Sequence, residues 1–294
     1  MGEGDWFSQF CTGLRISREK RGNIAYRAAR IVNQLETDFR SLVTGSSANR
    51  FYVGSYGRNT AIPSVSDVDL LYELPAHIYT RFNNYAGNGQ SALLAAVKNS
   101  IRKTYKVSDM AGDGQVVVIS FTDGVRFEIL PAFLNTAGGY TFADANGGGS
   151  WKSCKPKQEM SAFGQRNAEC NGNLVELCRM ARAWRDHNNV DMSGMLIDTL
   201  AYQFIAGWQY RQASYVYFDY LTRDFFHFLA NIPTTQLYWQ APGSGSFVFR
   251  GLPFQSKARS AELRALEAIR YQLDSYNWSA RQKYREIYGN AFPA

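Results

Sequence analysis

Apolar and polar residues alternate with two different periods in the first half of the chain. A helical period predicts one long helix over residues 14–43, and its apolar positions are Ile24, Ala28, Ile31, Leu35, Phe39 and Leu42. Residues 50–53 are a short apolar run, which predicts a strand that leads into a Gly54-Ser55 turn. Residues 67–74 alternate with the period of a strand and place Asp67 and Asp69 on one face.

A second carboxylate-bearing strand is predicted further along the chain. Residues 115–121 are apolar and β-branched, and Asp123-Gly124 is a hairpin turn signal. The return strand, 125–130, is predicted to end at Pro131 and to place Glu128 opposite to its apolar face. The hairpin thus adds a third carboxylate on another strand.

The remaining pattern predicts a change from a sheet to helices. Residues 79–90 and 135–158 are rich in Gly, Asn and other polar residues, so loops are expected there, with a helix over 91–106. Later helices are predicted over 173–186, from an N-terminal cap at Ser193 to about 210, over 215–229 and over 260–288, with an irregular or hairpin segment at 239–250. The expected fold class is α+β, with a catalytic lobe at 1–150 that carries the long N-terminal helix and a helical lobe at 151–294.

Composition narrows the partners only slightly. The chain has 294 residues, 45% of them hydrophobic and 19% charged, and its net charge is +7. These values predict a sizeable core, and the basic balance favours polyanionic ligands such as nucleotides. No apolar run has the length of a membrane span and no signal pattern is visible, so a soluble cytoplasmic protein without membrane contact is expected.

The cysteines suggest no redox or metal framework. Cys154, Cys170, Cys178 and His187 could form a zinc site, but their spacing matches no standard one. Reduced cysteines in an intracellular protein are the preferred interpretation, and Cys11 is expected to be reduced as well.

Three carboxylates and a small turn together indicate nucleotidyl transfer. Asp67 and Asp69 can share two divalent ions, and Glu128 on a neighbouring strand completes the set. The Gly54-Ser55 turn offers backbone N–H groups and a hydroxyl to a triphosphate. Two Mg²⁺ ions are expected, with Mn²⁺ as an alternative. An isolated Asp-x-Asp is usually a solvated strand face, so the interpretation depends on the whole set.

These motifs resemble the signature of the polymerase-β-like nucleotidyltransferases. The residues that carry the resemblance are Gly54-Ser55, Thr60, Ser66-Asp67-Val68-Asp69 and Phe127-Glu128-Ile129-Leu130-Pro131. Residues 173–185 resemble the helical half of the CD-NTases, the bacterial relatives of cyclic GMP-AMP synthase and oligoadenylate synthetase. The order of these features matches that branch over nearly the whole chain.

The resemblance implies a synthase that joins ATP, GTP or other triphosphates into a cyclic di- or trinucleotide. The product would alert an effector protein in anti-phage (CBASS) defence. By resemblance, Gly54 and Ser55 contact the donor triphosphate, and Asp67, Asp69 and Glu128 bind metal. In the helical lobe, Arg182 stands where the family often has Lys, and Ser193 is offset by one from the usual phosphate-binding Ser; both are nevertheless candidate phosphate ligands. Met195 occupies the position of the family's base-stacking Tyr. No zinc insertion is visible, so no obligatory nucleic acid is implied, and a monomer is expected.

Two other functions stay open at this point. The chain could form linear oligonucleotides or modify a target with a nucleotide, using the same carboxylates. It could also be a nucleotide- or RNA-binding module that kept the fold without catalysis, which the intact set of Asp67, Asp69 and Glu128 argues against.

Overall fold

The computed structural model describes residues 2–41, 49–64, 67–106 and 109–294, and the chain divides into two compact units. One unit, called the sheet unit below, comprises Ile16–Gly57 and Ser64–Met160. The other, called the helical unit, comprises Met1–Arg15, Arg58–Pro63 and Ser161–Ala294. These bounds interleave along the chain, whereas the sequence suggested a single boundary between residues 150 and 151. Whether 1–150 and 151–294 act as functional lobes stays a prediction.

The described chain alternates helices and strands before it becomes mainly helical. The helices are α1 (Glu3–Gly13), α2 (Arg18–Arg40), α3 (Gly54–Gly57), α4 (Ala76–Asn83), α5 (Gly89–Thr104), α6 (Pro156–Glu169), α7 (Asn173–His187), α8 (Gly194–Gly207), α9 (Phe218–Ala230), α10 (Gln255–Leu273) and α11 (Asn277–Tyr288). The strands are β1 (Arg50–Tyr52), β2 (Asp67–Glu73), β3 (Asp109–Asp113), β4 (Val116–Ser120), β5 (Arg126–Leu134), β6 (Tyr140–Asp144), β7 (Ser150–Cys154), β8 (Tyr238–Gln240) and β9 (Phe247–Phe249).

The sheet unit is built on a mixed sheet with the strand order β1-β2-β5-β4-β3. Strand β6 pairs with the C-terminal part of β5, and β7 pairs with β6. The pair β2 and β5 is parallel, and the other pairs are antiparallel. The apolar stripe of α2 packs into the core of this unit through Ile24, Ala28, Ile31 and Leu35, all fully buried. The α+β class and the polymerase-β-like fold predicted from sequence are therefore confirmed.

The predicted long helix over 14–43 is one helix in the structure, α2, which begins at Arg18 and ends at Arg40; the separate helix α1 precedes it and was not predicted. The chain turns after Gly13, and α2 begins at a new N-terminal cap where the Ser17 side chain accepts a hydrogen bond from the Lys20 N–H at 3.1 Å. The prediction therefore placed the start of this helix four residues too early, and the cap at Ser17 marks where it begins. The predicted end of the helix at residues 45–47 lies outside the described residues.

The two predicted loops contain regular structure. The first predicted loop, 79–90, overlaps the second half of α4, a helix that buries Ile78 and Phe82 one turn apart. Within 135–158, β6 and β7 pair in register from Tyr140↔Cys154 to Asp144↔Ser150, and the glycines lie in the turns before β6 and between β6 and β7. Glycine and asparagine content therefore marked the turns correctly but hid the short elements beside them.

The prediction that β5 ends at Pro131 is wrong. Pro131 pairs with Tyr72 of β2, and the strand continues to Leu134. On its other edge, β5 pairs with β4 up to Ile129 and with β6 only from Ala132. The missing N–H of the proline falls where β5 changes partners, so no ladder hydrogen bond is lost on that edge.

The helical unit packs its helices around a large aromatic core that includes Phe7, Phe218 and Trp184. The predicted hairpin near 239–250 is confirmed as β8 and β9. The predicted single helix over 260–288 is instead α10 and α11, which are separated by a turn at Ser275 with φ +65°. That backbone conformation is rare for a residue with a side chain and ends a helix.

Candidate active site

The three predicted metal-binding carboxylates lie on the paired strands β2 and β5. Asp69 is the register partner of Glu128, and Asp67 is the partner of Arg126. The intervening residues Val68 and Phe127 are fully buried, so alternation sends the carboxylates to the opposite face of the sheet. The side chains of Asp67, Asp69 and Glu128 are called the carboxylate face below.

The hairpin that brings Glu128 to this face is fixed at its turn. Gly124 has φ +81°, which a glycine adopts without strain. The Phe121 N–H donates to the Val125 carbonyl at 2.9 Å, and Arg27 pairs with Asp123 at 2.9 Å. These contacts set the register of β4 and β5 and hence the position of Glu128. The hairpin signal in the sequence is confirmed.

The Gly54-Ser55 turn lies directly against Asp69. Gly54 has φ +60°, and a Cβ atom added to it would be 1.8 Å from Asp69 Oδ2. The Val53 N–H donates to the Asp69 carbonyl at 3.0 Å, and the Gly57 N–H donates to the Val53 carbonyl at 2.9 Å. Only glycine therefore fits at position 54 while Asp69 keeps its place. Ser55 lies in the first turn of α3, and its predicted contact with a triphosphate stays a prediction.

Arg126 neutralises part of the carboxylate face. Its guanidinium pairs with Asp67 Oδ1 at 3.0 Å and forms a short ion pair with Glu128. The hydrogen bond to Glu128 is the largest cause that raises the pKa of Arg126. The sequence analysis gave Arg126 no role at the site, although its position two residues before a candidate metal ligand was a usable signal.

The oxygen atoms of the carboxylate face are the kind of ligand that a hard divalent cation prefers, but their arrangement in the structure does not form a metal-binding group. Carboxylate oxygens are the preferred ligands of Mg²⁺ and Mn²⁺, and Gly54 leaves Asp69 unobstructed. Within residues 2–41, 49–64, 67–106 and 109–294, however, no three His, Cys, Asp or Glu side chains form a group that could hold an ion. Arg126 pairs with both Asp67 and Glu128 and so occupies the position of a counter-charge, and the metal-binding role of the three carboxylates stays a prediction.

Arg182 has a buried carboxylate as its main partner in the helical unit. It is 3% exposed, and its guanidinium donates to Asp198 Oδ1 at 2.6 Å, to the Gly194 carbonyl at 3.0 Å and to the Cys178 carbonyl at 3.2 Å. These bonds join α7 to the first turns of α8. The predicted phosphate contact of Arg182 stays a prediction.

Ser193 is the N-terminal cap of α8, as the sequence indicated. Its hydroxyl oxygen accepts a hydrogen bond from the Leu196 N–H at 3.1 Å. This bond satisfies a backbone donor that the helix leaves open. Its candidate role as a phosphate ligand is not tested by this contact and stays a prediction.

Asp198 is the residue in the helical unit that sequence reasoning missed. It also accepts hydrogen bonds from Arg58 Nε at 2.9 Å and from the Thr60 hydroxyl at 3.1 Å. Burial acts to raise the pKa of Asp198, but the charges of Arg182 and Arg58 outweigh it and hold the pKa below its usual value. An acid within the apolar run of α8 was the signal, because a buried carboxylate requires partners.

The state of the cysteines and the character of the helices bear on the predicted reduced thiols and on the predicted lack of a membrane span. Cys11, Cys154, Cys170 and Cys178 are free thiols, and burial raises the pKa of each. In the part of the chain that the structure describes, they belong to no metal-binding group. Among the described helices, none is both long and apolar enough to span a membrane.

The fold, with three carboxylates beside a Gly-Ser turn, is that of a nucleotidyltransferase. Comparison with known proteins gives the family. The family model "Second Messenger Oligonucleotide or Dinucleotide Synthetase domain" matches residues 1–167. The chain therefore belongs to this family, the CD-NTase nucleotidyltransferases. A curated relative, the probable cyclic nucleotide synthase IK1_05630 of Bacillus cereus, is 22% identical over 223 residues; the match covers 65% of this chain and 66% of that relative.

Solved structures share the fold over the full length. The Escherichia coli MS115-1 CdnC structure with ATP has a TM-score of 0.70 at 16% identity, with 99% of each chain covered. The GTP-bound form of Vibrio cholerae DncV has a TM-score of 0.71 at 14% identity and covers 98% of this chain and 96% of its own. At this level of identity the likeness shows the fold.

Proposed function

We propose that the chain is a cyclic oligonucleotide synthase that joins ATP, GTP or both into a cyclic di- or trinucleotide and releases pyrophosphate. The observation that carries the proposal is the pairing of Asp69 with Glu128 beside a turn that only glycine can form. Family membership and the ATP and GTP named for the structural neighbours support nucleoside triphosphates as substrates.

The residues of the site have different roles in the proposed nucleotidyl transfer. The backbone N–H groups of the Gly54-Ser55 turn bind the donor triphosphate, and Asp67, Asp69 and Glu128 hold two Mg²⁺ ions, or Mn²⁺ in their place. When bound, the ions supply charge neutralisation for the attacking and leaving oxygens. Glu128 favours loss of the proton from the acceptor ribose hydroxyl, and Arg182 and Ser193 contribute phosphate contacts.

The biological setting belongs to the same proposal. We place the enzyme in the bacterial cytoplasm as a monomer whose cyclic product activates an effector protein in anti-phage (CBASS) signalling. The shared family with second-messenger synthetases supports this role. An infection assay tests it: the system should protect host cells with the native chain and fail with Asp67→Asn combined with Asp69→Asn.

Product analysis tests the activity itself. The protein is incubated with the four labelled triphosphates and Mg²⁺ or Mn²⁺, and products are treated with phosphatase and examined by mass spectrometry. We expect a phosphatase-resistant cyclic product that disappears with Asp67→Asn combined with Asp69→Asn. A product with free ends would instead identify a linear oligonucleotide synthase. If triphosphates bind and no product of either kind forms, the two remaining functions are transfer of a nucleotide to a separate target and binding without catalysis.

A further inference from the structure

A cavity of about 790 Å³ lies wholly within the helical unit. It is open to solvent and is bordered by the C-terminal ends of α8 and α9 and by the segment that leads into β8, with Phe204, Phe228 and Trp239 among its lining residues. Its volume falls within the range of small-molecule sites in proteins. None of its lining residues belongs to the carboxylate face.

One wall of the cavity is aromatic. The rings of Phe204 and Phe228 have centroids 5.6 Å apart, and the rings of Phe204 and Trp208 have centroids 6.3 Å apart. Phe204 and Phe228 are half-buried, so part of each ring faces the cavity, whereas the lining residues Trp208 and Trp239 are buried. Partly exposed ring faces favour a flat aromatic ligand.

The polar side chains of the cavity are mostly amides. The side chains of Gln203, Gln209 and Gln236 line it, and none has a hydrogen-bond partner among the residues that the structure describes. Each amide offers both donors and an acceptor. Such groups match the edge of a heterocycle that carries ring nitrogens, carbonyls and amino groups.

The charge around the cavity is unfavourable for phosphate. Among the described lining residues there is no Lys or Arg, Asp224 is an acid, and His227 pairs with the acid Glu262 at 2.8 Å. Asp224 Oδ2 accepts from Trp208 Nε1 at 3.0 Å, and Oδ1 accepts from Arg223 Nε at 2.7 Å, so the carboxylate is held in place by its partners. The two helices end at Gly207 and Ala230, and helix C-terminal ends carry partial negative charge.

We propose that this cavity is a second ligand site, which binds an uncharged nucleobase or nucleoside. The aromatic wall stacks on the base, the glutamine amides bind its edge, and the negative surroundings exclude its phosphorylated forms. The site is independent of the carboxylate face and of the reaction proposed for it.

A binding experiment with the full-length chain tests the site. Purine and pyrimidine bases and their ribonucleosides are titrated by calorimetry without divalent ions, so that no nucleotidyl transfer occurs. We expect at least one of them to bind in a 1:1 ratio, and its 5′-monophosphate to bind at least tenfold more weakly. No binding of any base or nucleoside at millimolar concentration would overturn the proposal.

A blocking variant shows where the ligand binds. Gly207 lines the cavity, and a Cβ atom added to it meets nothing within 4 Å, so Gly207→Phe places a ring into open space. We expect at least a tenfold loss of affinity. Gly13→Phe is the matched control, because Gly13 also ends a helix and also has open space around its Cβ position. It should bind like the native chain.

Two further variants keep the experiment decisive. Gln203→Ala combined with Gln209→Ala changes only exposed side chains and should weaken binding severalfold even if Gly207→Phe folds poorly. Asp67→Asn combined with Asp69→Asn should leave nucleoside affinity unchanged. If nucleoside binding survives both cavity variants and is lost in the carboxylate variant, the ligand occupies the carboxylate face and the proposal is wrong.

Discussion

Gly54 has the strictest steric requirement among the residues of the carboxylate site. Its backbone has φ +60°, and the space that a side chain would need is occupied by Asp69 Oδ2. Two separate costs therefore attach to any substitution: backbone strain and displacement of a candidate metal ligand. A single glycine thus couples the turn to the carboxylate face.

Gly54→Ala should reduce the rate of nucleotidyl transfer by about 100-fold, because a ligand moved by about 1 Å loses its reactive geometry. Steady-state kinetics with triphosphate and Mg²⁺ measure the effect. Gly87→Ala is the control: Gly87 has φ +94° but open space around its Cβ position. It should show the strain as lower stability and keep the native rate. Equal loss of rate in both variants would contradict the steric argument.

Arg126 is expected to compete with divalent cations for Asp67 and Glu128. Arg126→Gln should lower the Mg²⁺ concentration needed for half-maximal binding by about threefold to tenfold, since removing a partly exposed ion pair changes the free energy by roughly 1 kcal/mol. Metal titration followed by calorimetry measures this. Arg264→Gln, which removes a similarly exposed ion pair to Glu286 in the helical unit, is the control and should not change metal affinity. A higher Mg²⁺ requirement in Arg126→Gln would show that Arg126 supports the metal site.

Asp219 should make stability depend on pH. It is 6% exposed, and burial raises its pKa to about 6. At about pH 3 it is largely protonated in both the folded and the unfolded state, so it adds almost no penalty; as the pH rises from there to about 6, the unfolded state ionises first and stability falls. Asp219→Asn should therefore raise the free energy of unfolding above pH 6 by at most about 3 kcal/mol and have almost no such effect at about pH 3. Denaturant titrations at the two pH values measure the difference. A gain that is equal at both would contradict the assignment.

At the scale of elements, α7 and α8 are joined by charge as well as by apolar packing. Arg182 on α7 and Asp198 on α8 are both nearly inaccessible to water, and Arg58 and Thr60 complete the contacts of Asp198. A buried ion pair is weak evidence for net stability, but removing one partner leaves a charge uncompensated. Loss of either charge should therefore lower the stability of the contact between α7 and α8.

Asp198→Asn should lower the free energy of unfolding by about 3–5 kcal/mol, because Arg182 and Arg58 lose their counter-charge in the interior. Chemical denaturation measures it. Glu169→Gln removes the exposed pair with Arg166 on α6 and should cost less than about 1 kcal/mol. If the two variants are equally stable, water reaches the Asp198 cluster.

At the scale of the whole molecule, net charge should influence substrate capture. The chain carries a net charge of +7, and a nucleoside triphosphate is strongly anionic. We expect the KM for triphosphate to rise severalfold between about 50 mM and about 300 mM KCl, because salt screens long-range attraction. Kinetics at matched osmolarity, with sucrose replacing KCl, provide the control. A KM independent of salt would show that capture depends on close contacts alone.

The elements that the sequence predicted best are those with a strong local signal. Strand alternation located Asp67, Asp69 and Glu128, and Asp123-Gly124 located the hairpin, because both signals lie within a few residues. The residues missed were those whose role depends on distant partners. Arg126 acts through Asp67, 59 positions earlier in the chain, and Asp198 acts through Arg58, 140 positions earlier.

The sequence by itself determined the α+β class, the two carboxylate strands and the Gly-Ser turn, since periodicity and turn chemistry are local properties. Only the tertiary structure decided that Asp69 pairs with Glu128, that Gly54 must lack a side chain, and that Arg182 pairs with Asp198. It also decided the extent of β5 past Pro131, because a proline is tolerated in a strand where its N–H has no partner to lose. Strand register and charge pairing between distant residues arise from packing, and no local pattern records them.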